Sequence, residues 1–353
     1  MRLPRILYLA ESFHPPGGIQ NLSAMTLRVL HGLSQEGKLK YDSLVHRGSV
    51  LSGVRSSGAF NSGALMQLRV AWSWFIRGTT VIFSDHLYTA RFASRIGAKH
   101  IFWAHLIEFD APLHEMHRRS LYSSLCVVCD SEYTRRHVAS LYPATEHKLR
   151  VLHLGDQPRD FLDLPLYQHN VRLCNLTMIG RMDATERYKG HDQVLEALPY
   201  VLKTFPKCTV KIVGNGSDKT RLQEKAKNLG VADHVAFLGT IDDEALFQIV
   251  RESTSLLLPS LREAFGLVYL YAMWAGLPAV AIKGTAANEV LQECGVYAEA
   301  QTPEAIAHAI EMALSGEWPY ANESQLRYRT YFAFQAFEKR FREFILDEAT
   351  RIV

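Results

Sequence analysis

Short apolar runs alternate along this chain with stretches whose apolar positions recur every three or four residues. Runs at 5–10, 42–46, 80–83, 100–104, 125–129 and 149–154 are mostly Ile, Leu, Val, Phe and other apolar residues, the pattern of strands buried on both faces. Helical stretches lie between most of them, and 19–33 carries Leu22, Met25, Val29 and Leu33 at helical spacing. At 156–170 the periodicity lapses into a proline-bearing connector. Strands are then predicted at 171–179, 208–213, 234–238, 255–258 and 279–282, separated by helices at 191–204, 218–229, 242–251, 265–275 and 303–314. Strand and helix in turn imply parallel sheets with crossover helices. The fold class is therefore α/β, with two Rossmann-like, doubly wound domains at 1–165 and 166–322. A last helix, 325–346, carries Phe332, Phe334, Phe337, Phe341 and Phe344 along it, so the segment 323–353 is expected to pack back on the N-terminal domain.

With 353 residues, 48% hydrophobic and 21% charged, the chain can build two cores of ordinary size. No apolar run approaches the roughly 20 residues of a membrane span, and the N-terminus turns polar too early for a signal peptide, so a cytoplasmic protein is expected. The five cysteines are odd in number and lie mostly within or beside apolar segments, which argues against a disulfide framework. Cys126 and Cys129 have redox spacing but sit inside a strand-like run, where buried core is the better reading. Charge is unevenly placed. Residues 1–155 hold 18 Lys and Arg against 10 Asp and Glu, a net of +8, with 11 of the 15 histidines; the remainder holds 21 against 26, a net of −5. A basic N-terminal half suits an anionic ligand or an anionic membrane surface.

Four loops that follow predicted strands carry unusual chemistry. Pro15-Pro16-Gly17-Gly18 opens a helix, where free amides and adjacent glycines make an anion cradle. Gly180-Arg181 and Tyr188-Lys189-Gly190 put two cations on one loop, suited to a diphosphate. Gly214-Asn215-Gly216-Ser217 is a second glycine turn into a helix. Arg262-Glu263-Ala264-Phe265-Gly266 lies at the carboxyl end of the apolar run 255–258 and before a helix, the place where α/β sheets bind ligands.

At this point the chain resembles the retaining, nucleotide-sugar-dependent glycosyltransferases of the GT-B fold, family 4. The resemblance rests on GRMDATERYKGHDQVLEALPYV, IVGNGSDKTRLQEKAKNLGVADHVAFLGTIDDEALFQIV and REAFGLVYLYAMWAGLPAVA in the C-terminal half, and on PPGGIQ and VVCDSEYTRRHV in the N-terminal half. It implies two domains facing a central cleft and the transfer of a hexose from a UDP- or GDP-sugar to an acceptor hydroxyl, in assembly of bacterial cell-surface polysaccharide or lipopolysaccharide. Residue by residue, Arg181 and Lys189 would neutralise the donor diphosphate as it leaves, with amides from Gly17 and Gly18 on the same phosphates. The Gly214, Asn215 and Gly216 turn would line the donor site. Glu263, with the amides of Phe265, Gly266 and Leu267, would hold the sugar hydroxyls. His105, after a strand of the N-terminal half, matches the family's active-site histidine, with Glu108 or Asp110 as its carboxylate.

One position departs from the family pattern. A second glutamate belongs eight places after Glu263, and Tyr271 stands there; a phenol cannot give a bidentate carboxylate to two ribose hydroxyls. Either Glu289 compensates, or the ribose is held differently, or donor binding is weakened. No metal and no cofactor are expected, since Arg181 and Lys189 can do an ion's work. The expected partners are the nucleotide-sugar donor and a glycan or lipid-linked acceptor, with peripheral association at the inner membrane face and no nucleic acid. A non-catalytic glycosyltransferase-like binding subunit, or an epimerase or phosphorylase, would share the architecture.

Overall fold

The computed structural model describes residues 3–13, 17–156 and 174–352. The expected Pro15-Pro16 turn and most of the 156–170 connector fall outside them. The chain divides into two compact units, Met1–Pro158 with Phe332–Val353, and Arg159–Tyr331.

The first unit has six parallel strands, β1 (Arg5–Ala10), β2 (Lys40–Val45), β3 (Val81–Ser84), β4 (His100–Ala104), β5 (Cys126–Cys129) and β6 (Leu149–Val151), in the order β2-β1-β3-β4-β5-β6. All residues of β3, β4 and β5 are buried, because crossover helices cover both faces of a parallel sheet. Cys126 and Cys129 are free and buried. Burial pushes the Cys126 thiol up to about 12, so this pair is inert packing. The order of the strands reverses between β1 and β3.

The second unit has β7 (Asn175–Ile179), β8 (Thr209–Val213), β9 (Val235–Gly239), β10 (Ser255–Leu257), β11 (Ala279–Ile282) and β12 (Gly295–Ala298). All are parallel, in the order β12-β11-β10-β7-β8-β9. Read from β9 this is the doubly wound order of dinucleotide-binding sheets, with its reversal between β7 and β10. Its core joins Leu176, Met178, Ile212, Leu257, Val280 and Ile306. The edge strand β12 was not anticipated: four residues beginning with glycine carry too little periodicity.

The expected last helix is two. Ala321–Arg327 ends in a π turn at Tyr328–Phe332, and a second helix runs Phe334–Ile352. The first is tied to the second unit, where Gln325 Nε2 donates to the Trp274 carbonyl (3.1 Å) and Arg327 Nε to that of Val290 (2.8 Å). The unit boundary therefore falls at Phe332, not at 323. Beyond it the phenylalanine stripe closes on the first sheet: Phe341 stacks on Phe83 (5.7 Å between centroids) and on Trp103 (6.4 Å), and Phe337 and Phe341 are buried.

Candidate functional site

In open parallel sheets, ligands bind beyond the carboxyl ends of the strands where the order reverses. Each unit has one such edge.

In the second unit, Arg181 and Lys189 leave the loop after β7, and Glu263 the loop after β10. These two loops are latched. Gln301 Nε2 donates to the carbonyls of both Tyr188 and Pro259 (2.7 Å each), the Leu261 amide donates to the Tyr188 carbonyl (3.0 Å), and the Arg262 guanidinium lies 5.3 Å over the Tyr188 ring. Glu186, 6% exposed, takes both cations: Arg181 Nε donates to its Oε2 (3.1 Å) and Nη2 to its Oε1, while Lys189 Nζ stands 3.6 Å from Oε2. Glu186 is not among the residues expected at the site, although a carboxylate between two cations on one loop marks it in the sequence. Beside them His191 is buried, its Nε2 without a hydrogen-bond partner among the described residues. Burial first, then the Lys189 charge, pull its pKa down to about 4, so the ring is neutral at neutral pH.

Gly214 and Gly216 pack tightly against the loop after β7. A Cβ on either would lie 2.0 Å from the carbonyl oxygens of Gly180 and Met182 respectively. Both amides are engaged, Gly214's with the Gly239 carbonyl (2.8 Å) and Gly216's with Asn215 Oδ1 (3.0 Å). The Asn215 carbonyl in turn accepts the Met182 amide (2.9 Å). This turn therefore shapes the loop that carries Arg181. Gly266 starts the helix Leu267–Ala275 at φ +83, and a Cβ there would meet the Tyr269 ring at 2.4 Å. That start presents the amides near Phe265 and Leu267 at a helix N-terminus with no acidic residue in its first turn. Tyr271 packs edge-on against Phe247 (5.8 Å). Glu289 lies on the short helix Ala287–Leu291, whose carbonyl at that residue accepts Arg327 Nη2 (2.9 Å).

In the first unit, Gly17 precedes the helix Gly18–Gln35, whose first turn has neither an acidic residue nor a side-chain cap. The edge around it is a network of histidines and carboxylates. Asp85, fully buried, accepts the Glu11 amide (2.7 Å) and the Thr89 hydroxyl (2.8 Å), and pairs with His86 Nδ1 (2.9 Å). Burial disfavours a charged His86, but the Asp85 carboxylate prevails and its pKa rises to about 9, leaving an imidazolium. Glu11 pairs with His46 (2.9 Å) and Arg47 (3.4 Å). His105, 6% exposed, donates from Nε2 to the Asp85 carbonyl (2.9 Å) and faces Asp130 across 3.7 Å from Nδ1. Its pKa is raised: burial opposes this, and Asp130 and Glu108 overcome it. The carboxylate facing the ring is thus Asp130 rather than Glu108 or Asp110. Glu108 instead accepts the amides of His105 (2.8 Å) and Leu87 (2.7 Å), tying the loop after β4 to that after β3. Among the described residues no group of three or more His, Cys, Asp or Glu is placed to hold a metal ion.

Residues 176–331 match the family model described as Glycosyl transferases group 1. An uncharacterized glycosyltransferase of Methanocaldococcus jannaschii is 26% identical over 221 residues, 59% of this chain and 55% of that protein. The phosphatidyl-myo-inositol mannosyltransferase of Mycobacterium leprae is 34% identical over 142 residues, 39% of this chain and 37% of that protein. The chain thus spans about half or less of the length of these relatives. Among solved structures, a glycosyltransferase from Rickettsia africae superposes with a TM-score of 0.77 at 16% identity, covering 99% of this chain and 100% of that one. Anabaena HepE in complex with UDP-glucose gives 0.77 at 16% identity, covering 97% and 99%. The two-unit α/β architecture described above is that of the GT-B fold.

Proposed function

Because residues 176–331 match the family model for glycosyl transferases group 1, we propose that the protein moves a hexose from a nucleotide diphosphate sugar to an acceptor hydroxyl. The reading is carried by one observation: the loops after β7 and β10, latched through Gln301, set Arg181, Lys189 and Glu263 at the reversal of the second sheet. When the bond between the anomeric carbon and the diphosphate oxygen breaks, negative charge grows on the leaving group. Two cations fixed there stabilise the transition state more than the ground state. Arg181 and Lys189 thereby supply the countercharge without a metal ion. Glu263 and the amides of Phe265, Gly266 and Leu267 hold the sugar hydroxyls. In the first unit, His105, held by the Asp85 carbonyl and facing Asp130, and the amides of Gly17 and Gly18 are the groups assigned to an acceptor or an anion.

In a transfer that retains configuration, the departing diphosphate takes the acceptor's proton as the new glycosidic bond forms on the same face. Such a transfer needs no second carboxylate at glycosidase-like separation. The donor is a UDP- or GDP-sugar; a neighbour of the same fold was solved with UDP-glucose. The setting in cell-surface polysaccharide assembly rests on the sequence resemblance. Tyr271, turned onto Phe247, leaves ribose recognition to Glu289 or to backbone groups. That same departure favours the second reading, a binding subunit without turnover. Incubating the protein with UDP- and GDP-sugars in the presence of a chelator separates the two: slow release of free sugar and nucleoside diphosphate supports a transferase, and donor binding without any release supports a binding subunit.

A further inference from the structure

The helix Gly63–Phe75 in the first unit is apolar on two faces. Met66, Val70 and Ser73 are buried, Met66 and Val70 packing with Leu7, Leu9, Ile82 and Phe92. Leu65, Leu68, Trp72, Phe75 and the following Ile76 are exposed, Leu68 by 66% and Ile76 by 71%. At 100° per residue these five fall in a stripe roughly 100° wide, turned away from the buried face. Exposed leucines scattered singly need no explanation, but five large apolar side chains along one helix face do.

The charges around the stripe say what covers it. The cations at the stripe are Arg69 and Arg77, and residues 63–76 contain no Asp or Glu. The guanidinium carbons of Arg69 and Arg77 both lie 4.6 Å over the Trp72 ring, so cations flank the aromatic at the middle of the stripe. Arg77 also donates to Asp42 (2.6 Å), and among the described residues no ion pair engages Arg69. An apolar face with aromatic and basic residues at its margin is the arrangement that settles at the headgroup level of an anionic bilayer. A second copy of this chain fits poorly. Two copies joined by a two-fold axis would bring the same face together, arginines included, with no carboxylate from this segment between them. No helix among the described residues is long and apolar enough to cross a membrane, so the contact would be with the membrane surface.

We propose that the face formed by Leu65, Leu68, Trp72, Phe75 and Ile76, with Arg69, docks this protein onto an anionic lipid surface. The inference is independent of the transfer reading, since it rests on the first unit while donor binding is assigned to the second. The test is co-sedimentation of the full chain with vesicles of phosphatidylcholine alone or mixed equally with phosphatidylglycerol, at low and high salt. The expected result is binding to the mixed vesicles, weakened by salt. It should fall about tenfold or more in Leu68→Asp/Phe75→Asp and less in Arg69→Glu. These positions are solvent-facing, so thermal unfolding and nucleoside diphosphate binding should match the wild type. Failure of the wild type to bind either vesicle would overturn the proposal, as would equal binding by the double variant. A wild-type dimer in sedimentation velocity that the double variant dissociates, with no vesicle binding, would assign the face to a second copy instead.

Discussion

At the reversal of the first sheet, Glu11, Asp85, Glu108 and Asp130 face His46, Arg47, His86 and His105, and the described carboxylates there accept protein amides or pair with protein cations. At the reversal of the second, Arg181 and Lys189 share one carboxylate, Glu186. The first edge is compensated within itself and fixes ring orientations. The second sets three cations, Arg181, Arg187 and Lys189, against two carboxylates, Asp183 and Glu186, on one loop, a surplus that a diphosphate would use. Topology of the same kind therefore supplies two places for chemistry, and the balance of charge at each separates orientation from anion binding.

The contrast breaks most severely at Arg181. Arg181→Ala should lower kcat/KM for the donor by about 10²–10³, the range seen when one charge-stabilising group is lost, and Lys189→Ala by less. Steady-state kinetics with the preferred donor checks this; an unchanged rate in both variants would place the diphosphate elsewhere. Glu186→Gln leaves Arg181 its charge but loosens its position, so a loss of about fivefold in nucleoside diphosphate affinity is expected by calorimetry. An effect as large as that of Arg181→Ala would mean that Glu186 shapes the whole loop.

The two edges also titrate in opposite directions. The folded chain holds the His86 proton to about 9, whereas the unfolded chain releases it near the ordinary 6.5. Its contribution to stability is complete below 6.5 and fades as pH climbs from there to 9. His191, held neutral down to about 4, contributes fully above 6.5 and loses that contribution as pH falls toward 4. Followed by NMR, the His86 resonance should titrate high and the His191 resonance low, and Asp85→Asn should abolish the high titration of His86. Two ordinary midpoints would contradict the geometry. The smallest effect is expected at Tyr271. Tyr271→Glu gives up the contact with Phe247, so it should lower stability by about 1 kcal/mol while tightening nucleoside binding a few-fold if the ribose lies near.

Much of this contrast could be read from residues alone. The limits of β1, β4 and β11 follow directly from apolar runs bounded by polar residues, because a buried parallel strand has no polar positions to blur its ends. The loops after strands were legible for the same reason: Arg181 stands just past the end of an apolar run, and Lys189 and Glu263 lie on loops that follow one. What the sequence could not show was mutual placement. Asp130, rather than Glu108, faces His105 because β4 and β5 are adjacent in the sheet, and spacing along the chain carries no trace of that neighbour. The glycines at 214 and 216 mark a turn into a helix, and that the atoms pressing on them belong to the backbone of the neighbouring loop appears only in the folded chain. The phenylalanine stripe announced a packing helix, but the break at Tyr328–Phe332 is set by Arg327 and Gln325 reaching into the second unit.

The central claim, that the second sheet's edge binds a nucleoside diphosphate through Arg181 and Lys189, is tested most directly by isothermal titration of UDP and GDP into the wild type and Arg181→Ala. Saturable binding of at least one nucleotide that Arg181→Ala weakens by about tenfold or more is the predicted result. No heat of binding with either nucleotide, or equal affinity in the variant, would contradict it.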